Sequence, residues 1–329
     1  MLSAPGDLDE GALAVALEQG WGIGIAAMAY RAVGWGSHHW EVAGADGARW
    51  FVTVDELEQK RLMASESADE GFARLSASLS SAAALKDAGL DFVLAPLPLA
   101  GGSPAARLGE RFAVAVYPFA EGESFSWGQW APGQRARMAE MLAAVHMAPP
   151  QTRRHALTDE FAIPFRGELE AGCSGRGISD RGPYALPLAR LLAEHAAAIR
   201  RILQRYDGLV ATARAMPARN VLTHGEPHPG NTMLTADGWR LIDWDTALIA
   251  PPERDLWSLD PGDGSVLDAY AATTGITPVP ALLELYRLRW DVTDMAVDAA
   301  RLLSPHTGTA DDDKTWNLLS SLIRRYGEK

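Results

Sequence analysis

At 329 residues, 47% of them hydrophobic and 22% charged, the chain is long enough for two units with their own cores and too apolar to be disordered. Its formal charge of −12 argues against a nucleic-acid partner, whose phosphates need a basic surface, and is compatible with a cationic small molecule. No run nears the ~20 apolar residues of a membrane span, the opening residues lack a basic region and a secretory apolar core, and a single cysteine, Cys173, suits a reducing cytoplasm.

Taken in order, Asp9 to Gln19 has helical spacing (Leu13, Val15, Ala16, Leu17) with Gly20 as a stop. Ile23 to Val33 reads as a strand, Gly34-Trp35-Gly36-Ser37 interrupts it, and strands follow at His38–Val42 and Arg49–Val54 across the turn Ala45-Asp46-Gly47. Two strands joined by a Gly-rich turn can lay backbone N–H groups over phosphates, which makes Gly34, Gly36 and Ser37 expected nucleotide contacts. A helix is expected over Ser67–Ala88, then strands at Asp91–Leu99 and Arg111–Phe119 flanking Gly101-Gly-Ser-Pro. Glu121-Gly122-Glu123 breaks the composition, so a boundary near residue 120 divides 1–119 from 120–329. The i, i+3, i+4, i+7 spacing of Met138, Met141, Leu142 and Val145 marks an amphipathic helix over Gly133–Met147, with His146 as a structural histidine at its end. A loop over Pro149–Asp159 and a Gly/Pro-rich, mobile 172–187 lead to a helix over Leu186–Asp207, stopped by Gly208.

The chemistry concentrates in Val221-Leu-Thr-His224-Gly225-Glu226-Pro227-His228-Pro229-Gly230-Asn231 and in Asp243, twelve residues on. Between them Asp237-Gly238 signals a two-residue hairpin turn, so the unit reads as loop, strand, turn, strand, acid. That brings Glu226, Asn231 and Asp243 to one end of a hairpin. Asn231 and Asp243 offer the hard oxygen ligands Mg²⁺ takes, and Glu226 is left to accept a proton from a hydroxyl. His224-x-Glu226-x-His228 is not a zinc motif, because Pro227 and Pro229 forbid the helix such a site needs.

His-Gly-[acid]-x-x-x-x-Asn followed by Ile-Asp-Trp resembles the aminoglycoside phosphotransferase family, small-molecule kinases with a protein-kinase-like fold. The run Asp243-Trp-Asp-Thr-Ala-Leu-Ile-Ala-Pro-Pro-Glu253-Arg254-Asp255-Leu-Trp is similar in particular to its spectinomycin phosphotransferase branch. The resemblance implies an α+β, bilobal fold with a small antiparallel-sheet N-terminal lobe that binds ATP or GTP and a larger helical C-terminal lobe. It assigns Glu226 as the group that orients or deprotonates the acceptor hydroxyl, Asn231 and Asp243 as Mg²⁺ ligands, and His224 and Asp255 as supports of the loop. It places backbone groups near Val116 to Phe119 at a hinge beside the nucleotide base. Two positions depart from the family pattern. Glu226 stands where the family has Asp, and Thr53 stands where the third strand should carry a phosphate-binding lysine. Lys60 or Arg61 is an alternative source of that charge, although a solvated charge is the plainer reading of both; Glu66, Asp69 or Glu70, with Glu70 favoured, is a partner for a lysine.

In the last third, Asp291, Asp294 and Asp298 share one face of a helix over Leu282–Leu303. Like charges stacked there repel, and a cationic substrate would offset the repulsion, as in antibiotic kinases of the family that line their acceptor pocket with acids. Asp311-Asp-Asp313 reads as a solvated loop. The expected activity is O-phosphorylation of an aminoglycoside- or aminocyclitol-type compound, with antibiotic resistance as its setting. The alternatives are a metabolic kinase for a sugar, a choline-like compound or an amino alcohol, and a nucleotide-binding protein of degenerate activity.

Overall fold

Asp9 caps helix α1 (Glu10–Trp21) through its carboxylate, which accepts from Gly11 N–H, and Gly22 ends it in the left-handed region at φ +68°. The computed structural model describes residues 1–176 and 179–328. Strands β1 (Ile25–Arg31), β2 (His38–Gly44) and β3 (Arg49–Glu56) form an antiparallel meander, and a 3-10 turn over Leu57–Lys60 leads into α2 (Ala68–Asp87). Strands β4 (Ala106–Leu108) and β5 (Phe112–Pro118) complete a five-stranded sheet in the order β1-β2-β3-β5-β4.

Alternation decides what each face of this sheet does. Trp40, Val42, Val52, Val54, Val114 and Val116 face Leu13 and Leu17 of α1; full burial of each leucine contributes roughly 1.5–3 kcal/mol. On the other face Ala113, Ala115 and Tyr117 meet Leu75 and Leu79 of α2. Register places Thr53 opposite Ala115 and Asp55 opposite Ala113, hence on this second face.

Beyond β6 (Gly122–Ser124), the chain is mostly helical: α3 (Gln134–His146), α4 (Arg166–Cys173), α5 (Ala185–Glu194) and α6 (Ala196–Ala215) precede β7 (Val221–Thr223). The hairpin β8 (Thr232–Thr235) and β9 (Gly238–Leu241) pairs with β6, and β10 (Leu248–Ala250) pairs with β7. Helices α7 (Glu253–Leu256), α8 (Ser265–Thr274), α9 (Pro280–Leu303) and α10 (Ala310–Gly327) finish the chain. The largest core is built from α4, α5, α6, α9 and α10. Among the described residues no helix is long and apolar enough to cross a membrane.

Several sequence expectations are corrected here. Residues 91–99 are not a strand; Pro96 and Pro98 interrupt it, and only Val93 makes an isolated bridge, to Leu241. The hairpin turn is Ala236-Asp237, because Thr235 pairs with Gly238, whose φ is +107°. Gly208 stops nothing: the helix breaks at His195 and then runs to Ala215, its Leu209 and Val210 buried in the core, so packing overrides the roughly 1 kcal/mol that glycine costs. Asp311 and Asp312 are buried in the first turn of α10, where Thr309 and Asp312 form a capping box. Of the segment 172–187, residues 177 and 178 lie outside the described residues, while the ends are helical in α4 and α5.

Candidate active site

The loop between β7 and β8 is held from behind before any of its side chains faces outward. Asp255, fully buried in α7, accepts from His224 N–H (2.8 Å) and Gly225 N–H (2.7 Å), and its Oδ2 meets His146 Nε2 at 3.0 Å. His146 in turn reaches the Tyr270 hydroxyl at 2.8 Å. Burial opposes ionisation of Asp255, but the His146 hydrogen bond and charge hold it below the usual carboxylate range. The His224 ring accepts from Glu226 N–H on Nδ1 (3.2 Å) and faces the Ile242 carbonyl with Nε2 (2.9 Å). The neutral tautomer with its proton on Nε2 satisfies both, and burial lowers the imidazole's pKa. Gly225 sits at φ +104°, where a Cβ would stand 2.4–2.6 Å from the Arg254 guanidinium. Arg254 itself donates to Thr223 Oγ1 and the Thr246 carbonyl, 2.8 Å each.

Asn231 Nδ2 donates to the Glu226 carbonyl (2.9 Å), and Ile242 N–H donates to the Asn231 carbonyl (3.0 Å). The donor end of the amide is thereby spent on the loop, and its oxygen is the end left to ligate. Asp243 follows β9 with φ +67°, a left-handed conformation that costs a non-glycine residue of order 1–3 kcal/mol and that clusters at functional sites. Glu226, Asp243 and Asp245 crowd one another. Burial and the Asp245 charge push Glu226 upward, and burial with Asp245 and Glu226 pushes Asp243 well upward. Against the cost of burial, Lys60 holds Asp245 below its ordinary value.

That lysine is not solvated, which corrects the plainer reading of its sequence. Lys60 Nζ lies 2.5 Å from Asp245 Oδ2 and 2.9 Å from Asp55 Oδ1, with only 16% of the side chain exposed. Although burial favours the neutral amine, the Asp245 and Asp55 carboxylates hold the ammonium well above its usual pKa. Arg61 instead reaches Glu58 and the Ala64 carbonyl. Thr53, one pleat before Asp55 on the same face, is hydrogen-bonded to buried Tyr117. The three acids at the start of α2 do not partner Lys60. Glu70 closes a capping box with Ser67, Asp69 pairs with Arg107, and Glu66 accepts from Leu62 N–H and Arg74.

In the Gly-rich turn Gly34 and Gly36 take φ of +69° and +90°, and Ser37 Oγ donates to Asp55 (2.6 Å). The hinge expectation needs correction at two backbone groups. The Val116 carbonyl already accepts from Leu97 N–H (2.7 Å), and Phe119 N–H donates to the Arg49 carbonyl (3.2 Å) while the Arg49 guanidinium covers its ring at 3.7 Å. The Val116 side chain is fully buried against α1.

Around Glu226 a small cavity is lined by Trp127, Trp257 and Trp290 with Pro227 and His228. Trp257 and Trp290 lie 5.8 Å apart, and Trp127 meets His228 edge-on at 6.3 Å. Sequence reasoning passed over this aromatic wall because its members come from three distant segments. Asp294, one turn beyond Trp290 on α9, is exposed at its surface yet has protein closely around it. Burial, then Asp298, Glu226 and Asp291, push its pKa up to about 8. Burial pushes Asp298 to about 7. Among the described residues, Asp291 already has partners within the chain: it pairs with Arg325 (2.9 Å) and accepts from the Tyr326 hydroxyl (2.5 Å), unlike the other acids of the stripe expected of α9.

Residues 32–295 match the phosphotransferase enzyme family. Protein StrN of Streptomyces griseus is 34% identical over 253 residues, spanning 73% of this chain and 74% of the relative. In three dimensions the chain is similar to a spectinomycin phosphotransferase solved with ADP and spectinomycin (TM-score 0.69, 18% identity, 96% of this chain and 97% of that one). It is also similar to a microcompartment-associated aminopropanol kinase (TM-score 0.60, 13% identity, 97% and 95%).

Proposed function

Because this chain belongs to the phosphotransferase enzyme family, whose kinase-like fold it shares, we propose that it transfers the γ-phosphoryl group of ATP or GTP to a hydroxyl of a small cationic compound of the aminoglycoside or aminocyclitol type. The observation that carries the reading is that Glu226 and Asn231, on a loop braced by Asp255, stand beside buried Asp243 at the end of β9. The acceptor oxygen attacks the γ-phosphorus as the bond from that phosphorus to the bridging oxygen breaks. The nucleoside diphosphate leaves, and the hydroxyl proton passes to Glu226. Positioning and charge stabilisation supply most of the acceleration in such a transfer.

The acids also fit a divalent cation. Burial and mutual repulsion raise Asp243 and Glu226, a strain that added positive charge relieves. Among the described residues no three His, Cys, Asp or Glu side chains form a metal cage, and Mg²⁺ needs none, since it keeps waters and phosphate oxygens and takes one or two carboxylates. Asn231 and Asp243 would hold it, and it would neutralise charge on the phosphates.

A cationic acceptor is supported by the indole rings of Trp127, Trp257 and Trp290 around Glu226, with Asp294 one turn beyond Trp290 and within electrostatic reach of Glu226. Cations bind over the faces of such rings, and an ammonium there would draw the Asp294 pKa down. Asp294 and Asp298, without Asp291, are the substrate-binding acids on this reading. The test is Mg²⁺-dependent nucleotide consumption by the purified protein across a panel of aminoglycosides, aminocyclitols and simple amino alcohols, with Glu226→Gln beside it. Stimulation by an aminoglycoside or aminocyclitol that disappears in the variant supports the reading. Stimulation by amino alcohols alone moves the acceptor to the metabolic class, and consumption unaffected by Glu226→Gln removes Glu226 as the base.

A further inference from the structure

The strand position that should carry a phosphate-binding lysine holds Thr53, yet an ammonium still arrives in the cleft. We propose that Lys60, from the 3-10 turn after β3, is the side chain that binds the nucleotide phosphates; this rests on the phosphotransferase reading above.

Its placement is specific. β3 turns Thr53 and Asp55 to the same face, and Asp55 is the residue that receives Lys60 Nζ at 2.9 Å. The other oxygen partner is Asp245 at 2.5 Å, two residues past Asp243. Asp55 also accepts from Ser37 Oγ at 2.6 Å, so a single carboxylate joins the Gly-rich turn to the ammonium. Lys60 therefore stands between the turn suited to cover phosphates and the acid suited to hold their metal. Among the described residues, the salt bridges of Asp55 and Asp245 both go to Lys60.

The surroundings hold the turn rather than merely tolerate it. Arg74 of α2 donates to the Lys60 carbonyl at 2.8 Å and is itself fixed by Glu66 at 3.0 Å. Gly71 lets α2 approach so closely that a Cβ there would lie 2.9 Å from the Leu57 carbonyl. In protein kinases a strand lysine is paired by a helix acid. Here the helix grips the main chain of the lysine, and a strand acid pairs its ammonium. A phosphate displacing Asp245 from Lys60 exchanges one anion for another, so the ammonium is never left unpaired. Thr53, freed of that duty, bonds Tyr117.

A purely structural bridge between Lys60 and Asp245 would affect folding without regard to phosphate number, and the experiment exploits this. Binding of adenosine, ADP and ATP with Mg²⁺ is measured by calorimetry for the wild type, Lys60→Met and the double variant Thr53→Lys/Lys60→Met, with turnover and thermal unfolding alongside. Lys60→Met is expected to lower kcat by about 10²-fold or more, the scale of losing one charge-stabilising donor. It should also weaken ATP more than ADP and leave adenosine unchanged. The double variant returns the charge by the strand route and regains part of the turnover. If Lys60→Met destabilises the fold, Lys60→Arg, which keeps the charge, gives the same comparison at the folded temperature and should retain the ATP-over-adenosine preference. Wild-type ATP affinity and turnover in Lys60→Met overturn the proposal, as does an equal loss for all three nucleotides. A wild-type protein that neither binds nor consumes any nucleotide overturns the kinase reading itself, a distinguishable failure.

Discussion

Asp255→Asn is the most informative single change, because it alters two backbone bonds and one charge without altering volume. The carboxylate is fully buried and serves His224 N–H, Gly225 N–H and His146 Nε2. An amide has one acceptor end. Turned toward His224, it sets its NH₂ against Gly225 N–H; turned toward Gly225, it sets NH₂ against His224 N–H and His146. In either orientation at least one buried backbone donor is orphaned, which costs about 1–3 kcal/mol. A loss of that size appears as a melting temperature lowered by several degrees. The loop relaxes from the orphaned bond, and a displacement of ~1 Å at Glu226 costs about 10²-fold in rate. Calorimetric unfolding and acceptor-stimulated nucleotide turnover measure the two effects separately. A variant that melts lower but retains the wild-type kcat would refute the argument that Asp255 positions the loop for chemistry, leaving it a fold-holding role. Unchanged melting would refute the bookkeeping of its hydrogen bonds.

Away from the cleft, Asp159 accepts from the Tyr286 hydroxyl (3.0 Å) and Phe161 N–H (2.8 Å) and pairs with Arg289. Arg289→Met strands a buried charge and should cost about 3–5 kcal/mol in urea unfolding. Burial opposes ionisation of Asp159, while Arg289 holds its pKa low. The stabilisation is therefore present above the unfolded pKa of about 4 and lost as pH falls, so the deficit of the variant should narrow in acid. Asp294 runs the other way. Its folded pKa, raised to about 8, makes the protonated form the stabilised one, so stability is intact below the unfolded pKa of about 4 and declines as pH rises through 8. Asp294→Asn should melt increasingly above the wild type between pH 4 and 8 and level off beyond; a constant difference would show that the carboxyl does not titrate as described.

The candidate site loop was legible because its spacing is local. His224 to Asp243 is one strand-turn-strand unit in which prolines, a glycine and a hairpin turn fix the spacing of the polar groups. Lys60 was legible only as one of two alternatives, with Arg61, because its partner Asp245 lies 185 positions away and only the packing of α2 on the 3-10 turn brings the ammonium to it. The aromatic wall likewise drew on three separate segments. Other misses had local signals that pulled the wrong way. Gly208 looked like a helix stop, but burial of Leu209 and Val210 outweighs one glycine. Asp312 looked solvated, although Thr309-x-x-Asp312 is a capping pattern readable from the sequence.

The two departures from the family pattern differ in kind. At Thr53 the strand loses a charge, and Lys60 restores one to the same cleft by another route, so the balance facing the phosphates is kept. At Glu226 the charge is kept, and the carboxylate is extended by one methylene, about 1 Å. The main chain of Glu226 cannot retreat to absorb that length, because its N–H is bound by His224 Nδ1 and its carbonyl by Asn231 Nδ2. The extension is therefore taken up at the side-chain end, on the side lined by Trp257 and Trp290. On this reading the nucleotide half of the site is conserved in charge and rearranged in route, whereas the acceptor half is altered in dimension. Acceptor selectivity should accordingly follow Glu226 and the tryptophans around it more closely than anything in the N-terminal sheet.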